Sequence, residues 1–193
     1  MLNVSDIEKY KLILQSRLNE KRYNHSLCVA DEAKRLAEKY GGDADKCYLA
    51  GLLHDITKNA SESEHLKLFE TFGIMLSIVE KNAYKLWHAI SGEVYLRNVL
   101  GITDEEILDA VRFHTTAKKN MSLTAKILYL ADFTSLDRDY PDVDVIRSYV
   151  DESLEKAFIY ALQYSITDLV ELKKAVHPDT LEAYNELVLE GRI

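Results

Sequence analysis

The chain has few of the residues that interrupt helices or cross-link loops. Its 193 residues include two prolines, seven glycines and two cysteines. So little proline and glycine, together with 47% hydrophobic residues, argues against a disordered chain. Two cysteines do not make a disulfide framework, and we interpret Cys28 and Cys47 as buried free thiols of a reducing compartment. Long apolar runs are missing as well, since none approaches the roughly 20 residues of a membrane-spanning helix.

Basic residues are also scarce. Lysine and arginine number 24 against 32 aspartate and glutamate residues, which gives a formal net charge of −8. This balance disfavours broad binding to nucleic acid or to an anionic membrane, because both require a basic face. The first turns carry Asp6, Glu8, Lys9 and Lys11, so no signal peptide is visible. We therefore predict a cytoplasmic protein with neither a nucleic-acid nor a membrane partner.

Helical periodicity runs through the chain, and alternating strand patterns are missing. Apolar residues recur at intervals of three and four, as in Val29, Ala33, Leu36 and Tyr40. Helix ends are marked by capping boxes at Ser5–Glu8, Ser61–Glu64 and Thr103–Glu106, and by Gly41, Gly42, Gly73, Gly101 and Gly191. The predicted helices cover residues 5–19, 21–40, 44–58, 61–72, 75–86, 88–100, 104–115, 122–136, 144–175 and 179–190. The fold class predicted is all-α, a single-domain helical bundle over residues 1–193.

The doublet His54-Asp55 lies inside an apolar segment and is the hardest feature to explain by packing. Burying either polar side chain without a partner costs roughly 2–7 kcal/mol. A divalent metal resolves this conflict, because it accepts imidazole nitrogen and carboxylate oxygen together. Gly51 lies one turn before His54, where the lack of a side chain lets another backbone approach closely. The doublet therefore predicts a metal site.

Other polar residues stand in or beside helical apolar patterns, and each also has a simpler reading. His25 and His88 could be core histidines bonded to backbone carbonyls, and Asp132 could be a helix cap or an ion-pair partner. Lys58 could merely favour a helix dipole. His65, among serine, glutamate and lysine, is predicted to be a solvated surface residue. Taken together, the candidate ligands around the doublet favour a metallohydrolase; they are His25, His88, His114 and Asp132.

Several stretches resemble a known family. They are Lys21–Ser26, Ala50–Asp55, Leu86–Ala89, Phe113–Thr116, Tyr129–Asp132, Asp137–Pro141 and His177–Thr180. Their order resembles the HD superfamily of metal-dependent phosphohydrolases, and within it the symmetrical diadenosine tetraphosphate hydrolases of the YqeK family. The resemblance implies an HD-type helical bundle. Core motifs would lie in residues 20–140, and C-terminal helices over 144–190 would complete a nucleotide pocket.

The resemblance also implies residue roles. The metal ligands would be His25, His54, Asp55 and Asp132, with iron as the metal, manganese as the alternative, and a second ion at His88 and His114 left open. The catalytic residues would be Asp55, Lys58, His88 and His114. Substrate would contact His25, Lys58, His88, His114, Asp132, Phe133, Arg138, His177, Pro178 and Thr180. Free amides at the helix entry after His177 could meet the nucleoside or phosphate.

The implied reaction is metal-assisted cleavage of diadenosine tetraphosphate into two ADP molecules. The nearest alternative is another HD-type nucleotide phosphohydrolase, such as a nucleoside monophosphate phosphatase, a deoxynucleoside triphosphatase or a cyclic-nucleotide phosphodiesterase. A non-catalytic nucleotide-binding module is a second alternative, and a purely structural bundle is a third. The partner expected is a small dinucleoside polyphosphate or nucleotide, and a homodimer is predicted only from how common such dimers are.

Overall fold

Helices make up the regular secondary structure of residues 4–191, the part of the chain described by the computed structural model. The elements are α1 (Val4–Arg17), α2 (Glu20–Tyr40), α3 (Ala44–Leu53), α4 (Glu62–Thr71), α5 (Ile78–Asn82), a 3-10 turn (Tyr84–Leu86), α6 (Trp87–Asn98), α7 (Glu105–Phe113), α8 (Leu123–Thr134), α9 (Val143–Glu152), α10 (Leu154–Glu171) and α11 (Pro178–Leu189). The predicted all-α class is confirmed. None of the described helices has both the length and the apolar character that crossing a membrane requires.

The helices α2, α3, α7 and α8 surround the main core. Helix α2 packs against both α3 and α8, while α7 packs against α6 and α8. Ala30, Leu52, Val111 and Leu128 are among the fully buried side chains at these contacts. Burial of such apolar side chains is the dominant favourable term in folding. The packing of the four central helices thereby fixes the positions of the polar residues that they carry.

Capping interactions fix where several helices begin. Ser61 accepts a hydrogen bond from the Glu64 amide at the start of α4, which is half of the predicted capping box, while the Glu64 carboxylate accepts from Arg17. Helix α7 is capped by Asp104 instead of Thr103, one residue later than predicted. The predicted capping box at Ser5 lies outside the side chains that the structure describes. Left-handed backbone occurs at four of the predicted glycines, Gly41, Gly73, Gly101 and Gly191.

Three predicted helices were wrong in extent. The helix predicted over 144–175 is divided at Ser153, which is extended (φ −157°, ψ 131°) and caps α10 by accepting from the Lys156 amide. The helix predicted over 75–86 is a short α5 followed by a 3-10 turn. The helix predicted over 44–58 ends at Leu53. Apolar spacing continued past each break, so periodicity alone did not reveal it.

The two cysteines differ in exposure. Cys47 is buried and Cys28 is only partly buried, and both are free thiols. Burial raises the pKa of the Cys47 thiol to about 11, so this side chain stays protonated and unreactive. The prediction of a buried free thiol is confirmed for Cys47 and is wrong for Cys28 as to burial.

Candidate metal centre and adjoining clefts

The end of α3 places His54 and Asp55 side by side in the interior. His54 keeps helical backbone angles (φ −56°, ψ −37°), and turns follow from there to Asn59. The His54 ring contacts the Gly51 carbonyl oxygen through Nδ1 at 2.7 Å. A carbonyl can only accept, so Nδ1 carries the proton and Nε2 keeps its lone pair. His54 therefore presents Nε2 as a potential metal ligand.

Helices α2 and α8 bring two more donors to this point. His25 Nε2 lies 3.0 Å from Asp132 Oδ1, and His54 Nε2 lies 4.0 Å from the same oxygen. His54 Nε2 is also 3.5 Å from Asp55 Oδ2. One donor atom from each of His25, His54 and Asp55 falls within a mutual distance of 4.8 Å, and the same holds for His54, His114 and Asp132. Residues far apart in sequence thus converge on one small volume.

Two buried atoms in this volume are left without a well-formed hydrogen bond among the described residues. They are His54 Nε2 and Asp55 Oδ1, and the polar neighbours of the second include the His88 ring nitrogen at 3.1 Å and Lys58 Nζ at 3.7 Å. An unsatisfied buried polar group costs about 1–3 kcal/mol, and more where it is charged. Imidazole nitrogens and carboxylate oxygens are ligands of divalent metals, so one cation would satisfy both atoms. The donor set therefore fits a divalent metal.

A second group of donors adjoins the first. His88 Nε2 lies 3.1 Å from Asp55 Oδ1 and 3.1 Å from His114 Nε2. His114 contacts the Val111 carbonyl through Nδ1 at 2.7 Å, which leaves its Nε2 lone pair facing His88. Donor atoms of Asp55, His88 and His114 lie within 4.8 Å of one another. Burial lowers the pKa of both His88 and His114 and favours their neutral forms.

Each member of the doublet favours the charged form of the other. Burial by itself lowers the pKa of His54, but the Asp55 carboxylate outweighs it and the pKa is raised. Burial would raise the pKa of Asp55, but the His54 imidazole above all, together with His88 and Lys58, holds it well below its ordinary range. Asp55 is therefore a carboxylate at neutral pH. A metal at His54 Nε2 competes with protonation of the same atom, so metal binding is coupled to pH.

Basic side chains border the donors. Lys58 Nζ lies 3.0 Å from His88 Nε2 and 3.7 Å from Asp55 Oδ1, and burial lowers its pKa. Arg138 donates to the Asp132 carboxylate and, through Nε at 2.6 Å, to the Asp132 backbone oxygen. Arg22 Nη1 lies 3.0 Å from Asp55 Oδ2. These three cations can receive an anionic ligand next to the metal donors.

Sequence reasoning did not select Arg22 or Asp137 as site residues. Arg22 precedes His25 by three positions on α2, so the two share a face, and this spacing was a usable signal. Asp137 Oδ2 lies 2.8 Å from His25 Nδ1, while its other oxygen accepts from the Ser135 hydroxyl. Asp137 thereby orients the His25 ring, as carboxylates behind metal-binding histidines often do. It is 112 positions away, and no local pattern links the two.

Three clefts open around the centre. The aromatic cleft, about 300 Å³, is lined by Phe133, Tyr140 and Tyr164 together with His114, Thr115, Asp132 and Arg138. The basic cleft, about 250 Å³, is lined by Arg22, Lys58, His65, Tyr84, Lys85 and His88. The large cleft, about 560 Å³, lies between the 3-10 turn and the C-terminal end of α10, with Thr115, Thr116, His177 and Thr180 in its walls. Pro178 begins α11 and is not among its lining residues.

The start of α11 does not offer the free amides that the sequence suggested. The Asp179 amide donates to His177 Nδ1 at 3.2 Å, and the Thr180 amide donates to the His177 carbonyl at 3.0 Å. The Thr180 hydroxyl donates to the Thr116 carbonyl at 2.7 Å. These contacts fasten α11 to the segment that follows His114. His177 and Thr180 thus reach the large cleft through their side chains.

His65 is buried, and the prediction of a solvated surface residue was wrong. It is 2% exposed, and its Nδ1 lies 2.8 Å from the Ser91 hydroxyl. The His65 ring packs near Phe69 and Trp87. Phe69 lies four positions later on α4, so the apolar face was visible at a helical spacing, although the nearest neighbours of His65 are polar.

A buried ion pair supports the wall of the large cleft. Glu80 accepts from Arg112 Nη2 at 2.6 Å and from the Ser77 amide at 2.8 Å, and His177 Nε2 lies 3.7 Å away. Burial by itself would raise the pKa of Glu80, but the bonds from Ser77 and Arg112 hold it below its ordinary value. The charged form is therefore favoured in the folded state. The Glu80 carboxylate therefore adds to the free energy of unfolding at pH values above its unfolded-state pKa of about 4.3. This contribution is lost as the pH falls toward its lower folded-state pKa.

We expect the Glu80→Gln variant to lose about 1–3 kcal/mol in free energy of unfolding at pH 7, because the half-buried Arg112 is left without its charged partner. The variant should also lose less stability than the wild type between about pH 5 and pH 3. Urea unfolding across that range measures both effects. Glu105→Gln, which removes half of an exposed pair with Arg97, is the control and should change little. A parallel pH dependence in Glu80→Gln and wild type would contradict the prediction.

Comparison with known proteins agrees with this geometry. The family described as "HD domain" matches residues 22–137, which include His25, the doublet and Asp132. The chain belongs to the HD-domain family. A relative from Halalkalibacterium halodurans is 38% identical over 182 residues, covering 93% of this chain and 96% of its own length, and is named a symmetrical bis(5'-nucleosyl)-tetraphosphatase. A Bacillus subtilis relative with the same name is 33% identical, covering 91% and 94%.

A solved structure supports the HD fold. It comes from Clostridium acetobutylicum and is described as an HD superfamily hydrolase involved in NAD metabolism. Its TM-score is 0.91 at 36% identity, and the match covers 95% of this chain and 97% of the other. The expected HD-type bundle is therefore confirmed, whereas the roles of individual site residues stay predictions. The same is true of the homodimer, and of the division into core motifs and completing C-terminal helices.

Proposed function

We propose that this HD-domain protein hydrolyses diadenosine tetraphosphate symmetrically and releases two ADP molecules. The observation that carries the proposal is the buried cluster of metal donors around His54 Nε2 and Asp55 Oδ1, bordered by the cations Arg22 and Lys58. The names of the H. halodurans and B. subtilis relatives supply the substrate. Every donor that the family resemblance implies is present, which argues against a degenerate, non-catalytic module.

The donor set would hold the metal through His25, His54, Asp55 and Asp132. Two imidazoles and two carboxylates form a ligand set that suits iron or manganese. Structural zinc sites, in contrast, are typically tetrahedral and rich in cysteine. A bound divalent metal supplies Lewis acidity toward a phosphoryl oxygen and lowers the pKa of water. The adjoining Asp55, His88 and His114 group leaves room for a second ion, which a metal-to-protein ratio would decide.

The protein's own cations would bind and orient the phosphate chain. Arg138 has a planar guanidinium that suits two parallel contacts to phosphate oxygens, and it stands beside Asp132. Lys58 and Arg22 stand on the other side of the doublet, beside Asp55. Together they neutralise the charge that grows on the departing diphosphate. Losing one contact of this kind typically costs about 2.7–4 kcal/mol of barrier.

His88 and His114 would stabilise the leaving phosphate through a hydrogen bond. The His114 lone pair at Nε2 faces His88, so a hydrogen bond over their 3.1 Å contact requires a proton on His88 Nε2. Burial favours the neutral form of both rings. A neutral imidazole with its proton at Nε2 can donate a hydrogen bond to the departing phosphate oxygen and stabilise the charge on it. His88 is therefore the hydrogen-bond donor to the leaving group in the proposed reaction.

The large cleft would bind one ADP half of the substrate. Its volume of about 560 Å³ falls within the roughly 300–1,000 Å³ of small-molecule sites. His177 and Thr180 lie in its wall, and Thr115 joins it to His114. The polar atoms fix orientation, while Leu169 and Leu172 supply apolar surface for the nucleoside.

The test is product analysis of diadenosine tetraphosphate after incubation with anaerobically prepared protein loaded with Fe(II) or Mn(II). We expect ADP as the sole nucleotide product, with turnover abolished by a chelator and restored by added metal. AMP plus ATP would mean that the cleaved bond has been placed wrongly. No turnover at verified metal content would overturn the proposal and direct the assay to nucleoside monophosphates, deoxynucleoside triphosphates and cyclic nucleotides.

A further inference from the structure

The aromatic cleft is a separate cleft from the large cleft that would bind the first ADP half. Its walls are the rings of Phe133, Tyr140 and Tyr164, with centroids 5.6–6.5 Å apart. His114, Asp132 and Arg138 also line it, so the cleft opens directly onto the proposed metal centre. Three aromatic rings beside a centre that would bind phosphate suit a ligand that carries both an aromatic ring and a phosphate group.

We infer that the aromatic cleft binds the second base of the dinucleotide, with Tyr164 as its main stacking residue. The inference rests on the proposed function. Cleavage at the central anhydride places the metal centre at the midpoint of the substrate, so two equal nucleoside halves must extend from it. The large cleft takes one half, and the other half needs a separate site that also reaches the centre.

The basic cleft is a poorer site for this base. Arg22, Lys58 and Lys85 line it, and such cations suit phosphate oxygens. The aromatic cleft instead offers stacking surfaces, and bases stack on aromatic side chains whatever their identity. Its volume of about 300 Å³ is near the lower limit for ligand sites, which suits a base better than a whole nucleotide.

Thr115 lies where the two nucleoside clefts meet. It is in the walls of both the aromatic and the large cleft, next to His114 in sequence. Its hydroxyl oxygen is buried and has no hydrogen-bond partner among the described residues. A buried hydroxyl without a partner is costly unless a ligand satisfies it. A phosphate or ribose oxygen of a substrate that passes from one cleft to the other would do so.

Tyr164 can be changed without disturbing the core. Phe133 and Tyr140 pack against the main hydrophobic core, and the Tyr140 hydroxyl donates to the Phe133 carbonyl at 3.0 Å. Tyr164, on α10, is not one of the side chains packed against that core. Its neighbour Gln163 is exposed and does not line the aromatic cleft, so it offers a matched control on the same helix.

The experiment compares Tyr164→Ala, Tyr164→Phe and Gln163→Ala with wild-type metal-loaded protein. Removing one stacking ring should raise the KM for diadenosine tetraphosphate by about five- to 150-fold. The kcat should stay within twofold, and both control variants should match the wild type. Equilibrium dialysis should find two ADP molecules bound per wild-type chain, and one per Tyr164→Ala chain.

The outcomes separate the two proposals. An unchanged KM in Tyr164→Ala, or a single ADP bound by the wild type, overturns the second base site while leaving the hydrolase proposal intact. A wild type that fails to cleave the dinucleotide overturns the proposed function. Loss of the second ADP on Tyr164→Ala would then still support a base site in the aromatic cleft.

Discussion

Replacing Asp55 with alanine is expected to abolish turnover and metal binding together. Asp55 contributes to two groups of donors, and its side chain is 1% exposed. The loss in kcat should exceed the roughly 10²–10³-fold that removal of a single electrostatic contact causes, because the variant loses a ligand and not only a contact. Elemental analysis of the purified protein and chromatography of the ADP formed are the two measurements.

The matched control is Asp31→Ala, which removes an exposed carboxylate from α2 and leaves the centre intact. It should retain wild-type metal content and kcat. A thermal melt of each variant shows whether either has lost its fold. An Asp55→Ala protein that is folded, metal-replete and active would contradict the assignment of Asp55 as a ligand.

Replacing Gly51 with alanine is expected to destabilise the fold and to damage the centre from a distance. A Cβ at this position would stand 2.8 Å from Ala30 Cα and 2.9 Å from the Val29 carbonyl oxygen. Both are backbone atoms of α2, which cannot rotate out of the way as a side chain can. Helix α3 would therefore have to move away from α2. Overpacking of this kind costs about 1–3 kcal/mol or more. The shift would also move His54 away from His25.

Gly92→Ala provides the control, because the added Cβ would meet its nearest neighbour, Val111 Cγ1, at an ordinary 3.4 Å. Helix propensity favours alanine over glycine by up to about 1 kcal/mol, so this variant should be as stable as the wild type or more so. Denaturant unfolding and metal content measure both variants. Wild-type stability in Gly51→Ala would mean that α2 and α3 do not pack as closely as described.

The local features of the chain were predictable because they depend on neighbours in sequence. Helical periodicity indicated the all-α class, and the glycines after helices marked left-handed ends. The doublet predicted a metal site because two adjacent polar residues in an apolar segment lack a packing explanation. Gly51 predicted a close approach for the same local reason, and α2 indeed lies against it.

Features that depend on distant segments were not predictable in this way. Asp137 supports His25 across 112 positions, and Arg22 pairs with Asp55 across 33 positions, although the spacing of Arg22 to His25 was a local signal. His65 has polar neighbours in sequence but packs under Ser91 and Trp87, which belong to another helix. The break at Ser153 arises because α9 and α10 pack against each other, while the apolar spacing continues across it.

The convergence of ligands from distant helices also constrains when the centre can form during synthesis. His25 and Asp132 are 107 positions apart, so the ribosome must release α8 before the two can meet. At translation rates of about 5–20 residues per second, Asp132 is synthesised roughly five to twenty seconds after His25. During that interval the nascent chain holds at most three of the four proposed ligands, His25, His54 and Asp55. The proposed ligand set is therefore completed late in the synthesis of the chain.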